Sequence, residues 1–203
     1  MRFDMLTEIQ MDALRETGSI GAGHAATALS QLVGHPVSID VPTLEVLRVG
    51  EVPDLFGGPE SLVVGVHVRL LGDLGGSMLF MAERASALAL VDLMHARPIG
   101  SARSFSADEE AVVSHVASIL MSAYVAAVGR LADISILPAR ASSTLDMAGA
   151  IMQAVTSDAA MRADVALLLK TRFCDSDTSV DAFLFFLPDP AGLGILLGRL
   201  GVA

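Results

Sequence analysis

Tryptophan is absent from this chain, tyrosine and cysteine occur once each, and aromatic residues make up only 4% of it. A core without large rings must be filled by alanine, leucine, valine and methionine, and hydrophobic residues reach 53%. Cys174 has no second cysteine to pair with, so no intramolecular disulfide forms and a reducing compartment suits the chain. Basic residues are also scarce: 13 Lys and Arg stand against 23 Asp and Glu, a formal net charge of −10. Such a surface repels polyphosphate and anionic lipid, which argues against non-specific nucleic-acid binding and adhesion to acidic membranes. Acidic residues begin at Asp4 and Glu8, too early for a secretory signal. A cytoplasmic protein is the simplest expectation.

Several chemistries are missing as well. Ser19 lacks the Gly-x-Ser-x-Gly surroundings of a nucleophile elbow, and the five histidines are scattered. His24 and His35 lie 11 residues apart and Cys174 has no Cys or His neighbour, so no metal-ligand spacing is present. The glycines Gly18, Gly21 and Gly23 fall inside a helical pattern, not between a strand and a helix, which excludes a dinucleotide loop. Charge is missing from residues 17–39 and 111–129, and the second of these is as long as a membrane span. Ser114, His115, Ser118, Ser122 and Tyr124 interrupt it, as Gln31, Pro36 and four glycines interrupt the first. Polar groups are costly inside lipid, so both read as buried helices of a soluble domain with no membrane insertion.

What is present begins with a long helix over residues 5–33, stopped by Gly34-His35-Pro36. Asp12, Arg15, Glu16 and Ser19 stand three and four residues apart and line one polar stripe. Leu14, Ile20, Ala25, Ala28 and Leu32 are expected on the apolar side. Glycine inside a helix costs about 1 kcal/mol relative to alanine, so Gly21 and Gly23 call for a close neighbour or a function. By itself the stripe is an ordinary solvated face, and His115 an ordinary surface or core histidine.

A strand at 37–41 follows, with residues 43–49 extending it past Pro42, and then a loop at 51–61. Strands at 62–70 and 74–81 turn tightly at Gly72-Asp73, and a helix covers 82–95. Arg97-Pro98-Ile99-Gly100-Ser101 reads as a joint. Beyond it the order recurs: a helix capped by Ser106 and running to about 131, a strand at 133–137, a helix at 145–155, strands at 165–173 and 180–187, a helix at 191–200. The second hairpin turns at Asp175-Ser176-Asp177, and the prolines Pro42 and Pro138 recur 96 residues apart.

The chain thus reads as helix, three strands, helix, written twice, at about 1–97 and 101–203. Each copy has too few strands to bury its own face. The expected fold is one α/β (α+β) domain over residues 1–203, with approximate two-fold symmetry about a shared mixed, largely antiparallel sheet.

The run Leu14-Arg15-Glu16-Thr17-Gly18-Ser19-Ile20-Gly21-Ala22-Gly23-His24-Ala25-Ala26-Thr27-Ala28 resembles the opening helix of the CheC/CheX/FliY group of chemotaxis phosphatases. The pattern of that group is an acidic residue or Ser, three residues, Glu, two residues, Asn, 22 residues, Pro. Asp12, Glu16, Ser19 and Pro42 stand at those positions, with serine in place of the asparagine. CheC carries the motif twice, on the two long helices of a pseudo-symmetric fold, so the resemblance covers essentially the full length.

The resemblance implies a function: hydrolysis of the aspartyl phosphate on the response regulator CheY. The glutamate pairs with a lysine of CheY, and the asparagine orients water for attack on phosphorus. CheY carries the Mg²⁺, so the phosphatase needs no cofactor of its own. Gly21 and Gly23 would then allow close approach of CheY.

Glu16 and Ser19 are accordingly the candidate catalytic pair, with Asp12, Arg15 and Gly23 as partner-binding neighbours. In the second helix His115 and Ser118 replace Glu and Asn, and Ala111 replaces the acid, so that site is expected to be inactive. Serine is shorter than asparagine by about one bond, and misplacement by about 1 Å can lower a rate 10²-fold. The first site therefore reads either as a slow phosphatase or as a binder without catalysis. The resemblance also implies a second partner. Leu145-Asp146-Met147-Ala148-Gly149-Ala150-Ile151 is similar to the helix by which CheC docks the receptor deamidase CheD, with Asp146 and Met147 as contacts. A role in the flagellar switch, as for FliY, is disfavoured because no further domain follows Ala203.

Overall fold

The computed structural model describes residues 6–33, 38–39, 44–157, 165–175 and 178–203. The motif proline Pro42, the expected stop at Gly34 to Pro36 and the second hairpin's turn at 176–177 lie outside the described residues. The order of elements is α1 (Glu8–Val33), β1 (Ser38–Ile39), β2 (Leu44–Arg48), a 3-10 helix (Val49–Phe56), β3 (Leu62–Gly72), β4 (Gly76–Glu83) and α2 (Arg84–Met94). A second series follows: α3 (Ala107–Ala132), β5 (Ile136–Pro138), β6 (Ser142–Met147), α4 (Ala148–Thr156), β7 (Val165–Asp175), β8 (Thr178–Pro188) and α5 (Pro190–Arg199).

The sheet runs β1-β7-β8-β4-β3-β5, with β2 also on β7 and β6 also on β3. Every pairing among the described residues is antiparallel, so the expected parallel component is not found there. At the centre β4 and β8 pair, from Gly76 opposite Pro188 to Met81 opposite Phe183. The short strands cross over. β1 and β2 extend the second series' β7, and β5 and β6 extend the first series' β3. Each series completes the other's sheet.

The two sheet faces are covered unequally. Val64, Val66, Met78, Phe80, Leu184 and Phe186 form one core with Leu14 and Leu29 of α1, Val116 and Leu120 of α3, Leu90 of α2 and Leu193 of α5. Val63, Leu79, Met81, Phe185 and Leu187 form the other with Val52, Phe56, Ile151 and Val155. The period-2 alternation of the strands assigns the even residues of β3 to the first core and Val63 to the second. By length and composition α3 could cross a membrane, yet it buries ten residues among α1, α2 and the sheet.

Four expectations are corrected. Residues 51–61 are not all loop. Val52 and Phe56, four apart, both anchor in the second core, which folds Val49–Phe56 into a 3-10 helix ended by Gly57 at φ 90°. The helix expected over 145–155 begins only at Ala148, because residues 142–147 pair with the open edge of β3, from His67 opposite Ser142 to Leu62 opposite Met147. Among the described residues each series shows four strand segments where three strands were expected. The strand expected from Asp133 starts at Ile136, since Asp133 adopts φ 51° to cap α3, a conformation aspartate tolerates. The connection after Gly72 spans residues 73–75, with Leu74 buried and the Asp73 carboxylate accepting from the Ser135 N–H at 2.8 Å.

The joint between the series carries a lock that composition did not reveal. Asp92, within the apolar run of α2, is fully buried. Its carboxylate accepts from the backbone N–H groups of Gly100, Ser101 and Ala102 at 2.9–3.1 Å and meets Arg97 Nη2 at 3.2 Å.

Candidate functional site

The first helix is begun by a reciprocal cap. Thr7 N donates to Gln10 Oε1 at 3.0 Å, and Gln10 N donates to Thr7 Oγ1 at 3.3 Å. Gln10 Nε2 also donates to the Val202 carbonyl at 2.9 Å, which ties the start of α1 to the chain's end. With the helix fixed, Leu14, Thr17, Gly18, Gly21, Ala22, Ala25 and Leu29 face inward. Asp12, Arg15, Glu16, Gly23, His24 and Thr27 are exposed, and Ser19 is half-buried between them. Ile20, expected on the apolar side, is 36% exposed and belongs to the outer face, because position 20 falls between the exposed positions 16 and 24 around the helix.

The polar groups of this face are in different states. Arg15 Nη1 lies 2.7 Å from Asp12 Oδ1. Thr27 donates back to the Gly23 carbonyl at 3.0 Å, as the inward-facing Thr17 does to that of Ala13 at 2.7 Å. Glu16 and the Ser19 hydroxyl have no partner among the described residues. An exposed carboxylate and an uncommitted hydroxyl thus stand one turn apart, open to an incoming surface.

The two glycines have different causes. A β-carbon on Gly21 would collide with the Tyr124 ring of α3, so Gly21 is required by packing between the two long helices. Burial raises the Tyr124 phenol's pKa, which keeps this ring neutral. The expectation that a partner explains Gly21 is therefore corrected. Gly23 has nothing within 4 Å of its missing β-carbon and remains without an internal reason. Gly21→Ala is expected to destabilise by about 1–2 kcal/mol, overpacking outweighing the gain in helix propensity. Gly23→Ala should instead stabilise by up to about 1 kcal/mol. Urea denaturation of the two variants checks both signs.

The matching face of α3 lies 99 residues on: Ala111 and His115 are exposed and Ser118 is half-buried. Here the hydroxyl is committed, since Ser118 Oγ donates to the Ser114 carbonyl at 2.7 Å. The face opens into a groove of about 550 Å³, lined in part by Glu110, His115, Ser118, Arg140, Ala141 and Ser143. Glu110 accepts from Ser143 Oγ at 2.7 Å.

Ala141, 23 residues after Ser118, lines this groove. The same interval separates Ser19 from Pro42 in the sequence. The helix register of 99 residues thus sets Ala141, not Pro138, against Pro42. Sequence reasoning missed Glu110, Arg140 and Ser143, although this interval could have located the last two, which flank Ala141.

Asp146 and Met147 lie at the end of edge strand β6, just before α4 and not within it. Asp146 is exposed, with its Oδ1 accepting from the Met147 N–H at 2.8 Å. Met147 and its cross-strand neighbour Leu62 are 46% and 49% exposed. Among the described residues, no three His, Cys, Asp or Glu side chains gather as a metal site.

The CheC-like family model matches residues 9–46, the span from the polar stripe of α1 through β1 into β2. The chain is 29% identical to the CheY-P phosphatase CheC of Bacillus subtilis over 205 aligned residues, covering 99% of this chain and 98% of that protein. Its fold is that of Thermotoga maritima FliY, with a TM-score of 0.77 at 16% identity over 97% of this chain and 98% of that one. The CheX of the Borrelia burgdorferi CheX–CheY–BeF₃–Mg²⁺ complex shares the fold at a TM-score of 0.53 and 14% identity, over 83% of this chain and 95% of that one. The chain is thus similar to CheC along nearly all of its sequence, and to FliY and CheX in fold.

Proposed function

We propose that this protein is a cytoplasmic chemotaxis protein that binds phosphorylated CheY through the outer face of α1 and promotes hydrolysis of its aspartyl phosphate. The observation that carries this reading is the contrast between the two helix faces. On α1 Glu16 is exposed and the Ser19 hydroxyl uncommitted; on α3 the glutamate is a histidine and the serine hydroxyl is held by its own helix. Glu16 seats the partner's lysine, and Ser19, able to donate and accept, orients the attacking water. Gly23 leaves the outer face flat where the CheY surface comes closest. Positioning alone can be a large effect, about 7–11 kcal/mol in ideal intramolecular cases. Mg²⁺ belongs to the CheY partner in this reading.

Glu16→Ala is the test of the face. Titration of BeF₃⁻- and Mg²⁺-loaded CheY should show affinity weakened by about tenfold or more, the loss of one charge-assisted contact. Unchanged affinity would remove α1 as the docking face.

A second reading, a CheD-binding adaptor, is favoured by Asp146 beside the exposed Leu62–Met147 pair on an edge strand. Asp146→Arg should abolish co-elution with CheD, and persistent co-elution dismisses that contact.

A further inference from the structure

We propose that Arg15 meets the phosphoryl oxygens of the partner and that Asp12 is the residue that holds it in position. This rests on the α1 face being the phosphatase face. A phosphorylated carboxylate is an anion, and it approaches a chain of net charge −10 along a helix bearing Glu8, Asp12 and Glu16. Arg15 is the only lysine or arginine in α1. Charge on the equatorial oxygens of a transferring phosphoryl group needs donors and cations placed beforehand. Ser19 supplies one donor where the family's amide supplies two. The guanidinium supplies the rest of what this face can offer.

The geometry fits. Asp12, Arg15, Glu16 and Ser19 form one patch, with Arg15 and Glu16 side by side on the turn between the other two. Helical side chains lean toward the N-terminus, so the Ser19 hydroxyl overhangs the turn that carries Arg15. Arg15 in turn leans to Asp12, at 2.7 Å, with the two side chains 53% and 72% exposed. So exposed a pair contributes little to stability. It does restrict a long side chain to this face, and it can be exchanged for phosphoryl oxygens without first being dug out of a core. On α3 the positions of Asp12 and Arg15 hold Ala111 and Ser114. The pair is missing where the glutamate is missing too.

In the reaction, water oxygen bonds to phosphorus and the bond from phosphorus to the aspartyl oxygen breaks. The carboxylate is regained on CheY, and inorganic phosphate leaves with the water's proton released to solvent. Arg15 ends unchanged.

The test is single-turnover loss of phosphate from phosphorylated CheY at saturating full-length protein, with affinity for BeF₃⁻- and Mg²⁺-loaded CheY measured in parallel. Arg15→Ala should lower the saturating rate by about tenfold or more with affinity changed by less than about threefold. Arg15→Lys, keeping charge but not the fork, should recover part of the rate. Asp12→Ala should lower it less, and the double variant should be no slower than Arg15→Ala alone, because Asp12 acts through Arg15. A saturating rate for Arg15→Ala within twofold of wild type, or a loss confined to affinity, overturns the role of Arg15. Full additivity of the two losses overturns that of Asp12. Wild type no faster than CheY alone overturns the phosphatase reading itself, and this proposal with it.

Discussion

Ser19→Asn is expected to raise the saturating rate of phosphate loss from phosphorylated CheY by about 10²-fold. The serine hydroxyl is half-buried and free of helix partners among the described residues, so in the proposed mechanism side-chain length sets where the water would be held. Asparagine adds about one bond and a second donor at the same backbone position, and about 1 Å of placement is worth that factor. The frame around it needs no change, because Asp12, Arg15 and Glu16 are already exposed on the same turns. Affinity for BeF₃⁻-loaded CheY should move by less than about threefold, since docking is assigned to Glu16. Ser118→Asn is the internal control and should leave the rate unchanged, because His115 stands where the docking carboxylate would be. A Ser19→Asn variant no faster than wild type would show that water placement at residue 19 does not limit the reaction.

The largest stability effect is expected at Asp92. Alanine there orphans the backbone N–H groups of Gly100 and Ala102, leaves the Ser101 N–H only its bond to the Pro98 carbonyl, and releases Arg97. An unsatisfied donor costs about 1–3 kcal/mol. Gly100 and Ser101 reach solvent when freed and Arg97 is 41% exposed, which moves the sum toward about 3 kcal/mol. For about 200 residues that corresponds to roughly 10 °C in Tm. Asp92→Asn keeps one acceptor oxygen and should lose about half as much. A thermal scan in which Asp92→Ala melts within about 2 °C of wild type would mean that the lock contributes nothing. Docking at α1 should survive in the folded variant, since the joint lies between α2 and α3.

Asp92 also marks the limit of what the sequence made legible. Arg97 to Ser101 reads as a joint from its proline and glycine, and these residues lie in the connection between α2 and α3. A lone acid inside an apolar helical run shows no pattern of its own, and its partners lie 8–10 residues on in a loop without periodicity. The long helices, both hairpins and the repeated order of elements were legible because their periods are long and undisturbed. The crossing of β5 and β6 onto β3 was not, since strand pairing between distant segments leaves little local trace. Residues 145–147 read as the start of a helix running to 155, while the open edge of β3 pairs them as the end of a strand.

The candidate site divides in the same way. The stripe Asp12, Arg15, Glu16 and Ser19 follows from spacing alone. Which glycine of the pair was internal could not, because only the fold brings Tyr124 against Gly21 and leaves Gly23 open. Nor could spacing separate Ser19 from Ser118, two serines at matching positions. Their difference is a hydrogen bond to Ser114 that only one of them makes.

The most direct measurement is the decay of phosphorylated CheY with and without the wild-type protein, followed by phosphate release. Decay faster than that of CheY alone, abolished by Glu16→Ala and retained in His115→Ala, is the expected result. Decay at the rate of CheY alone, or an acceleration that Glu16→Ala leaves intact, would contradict catalysis at the face of α1.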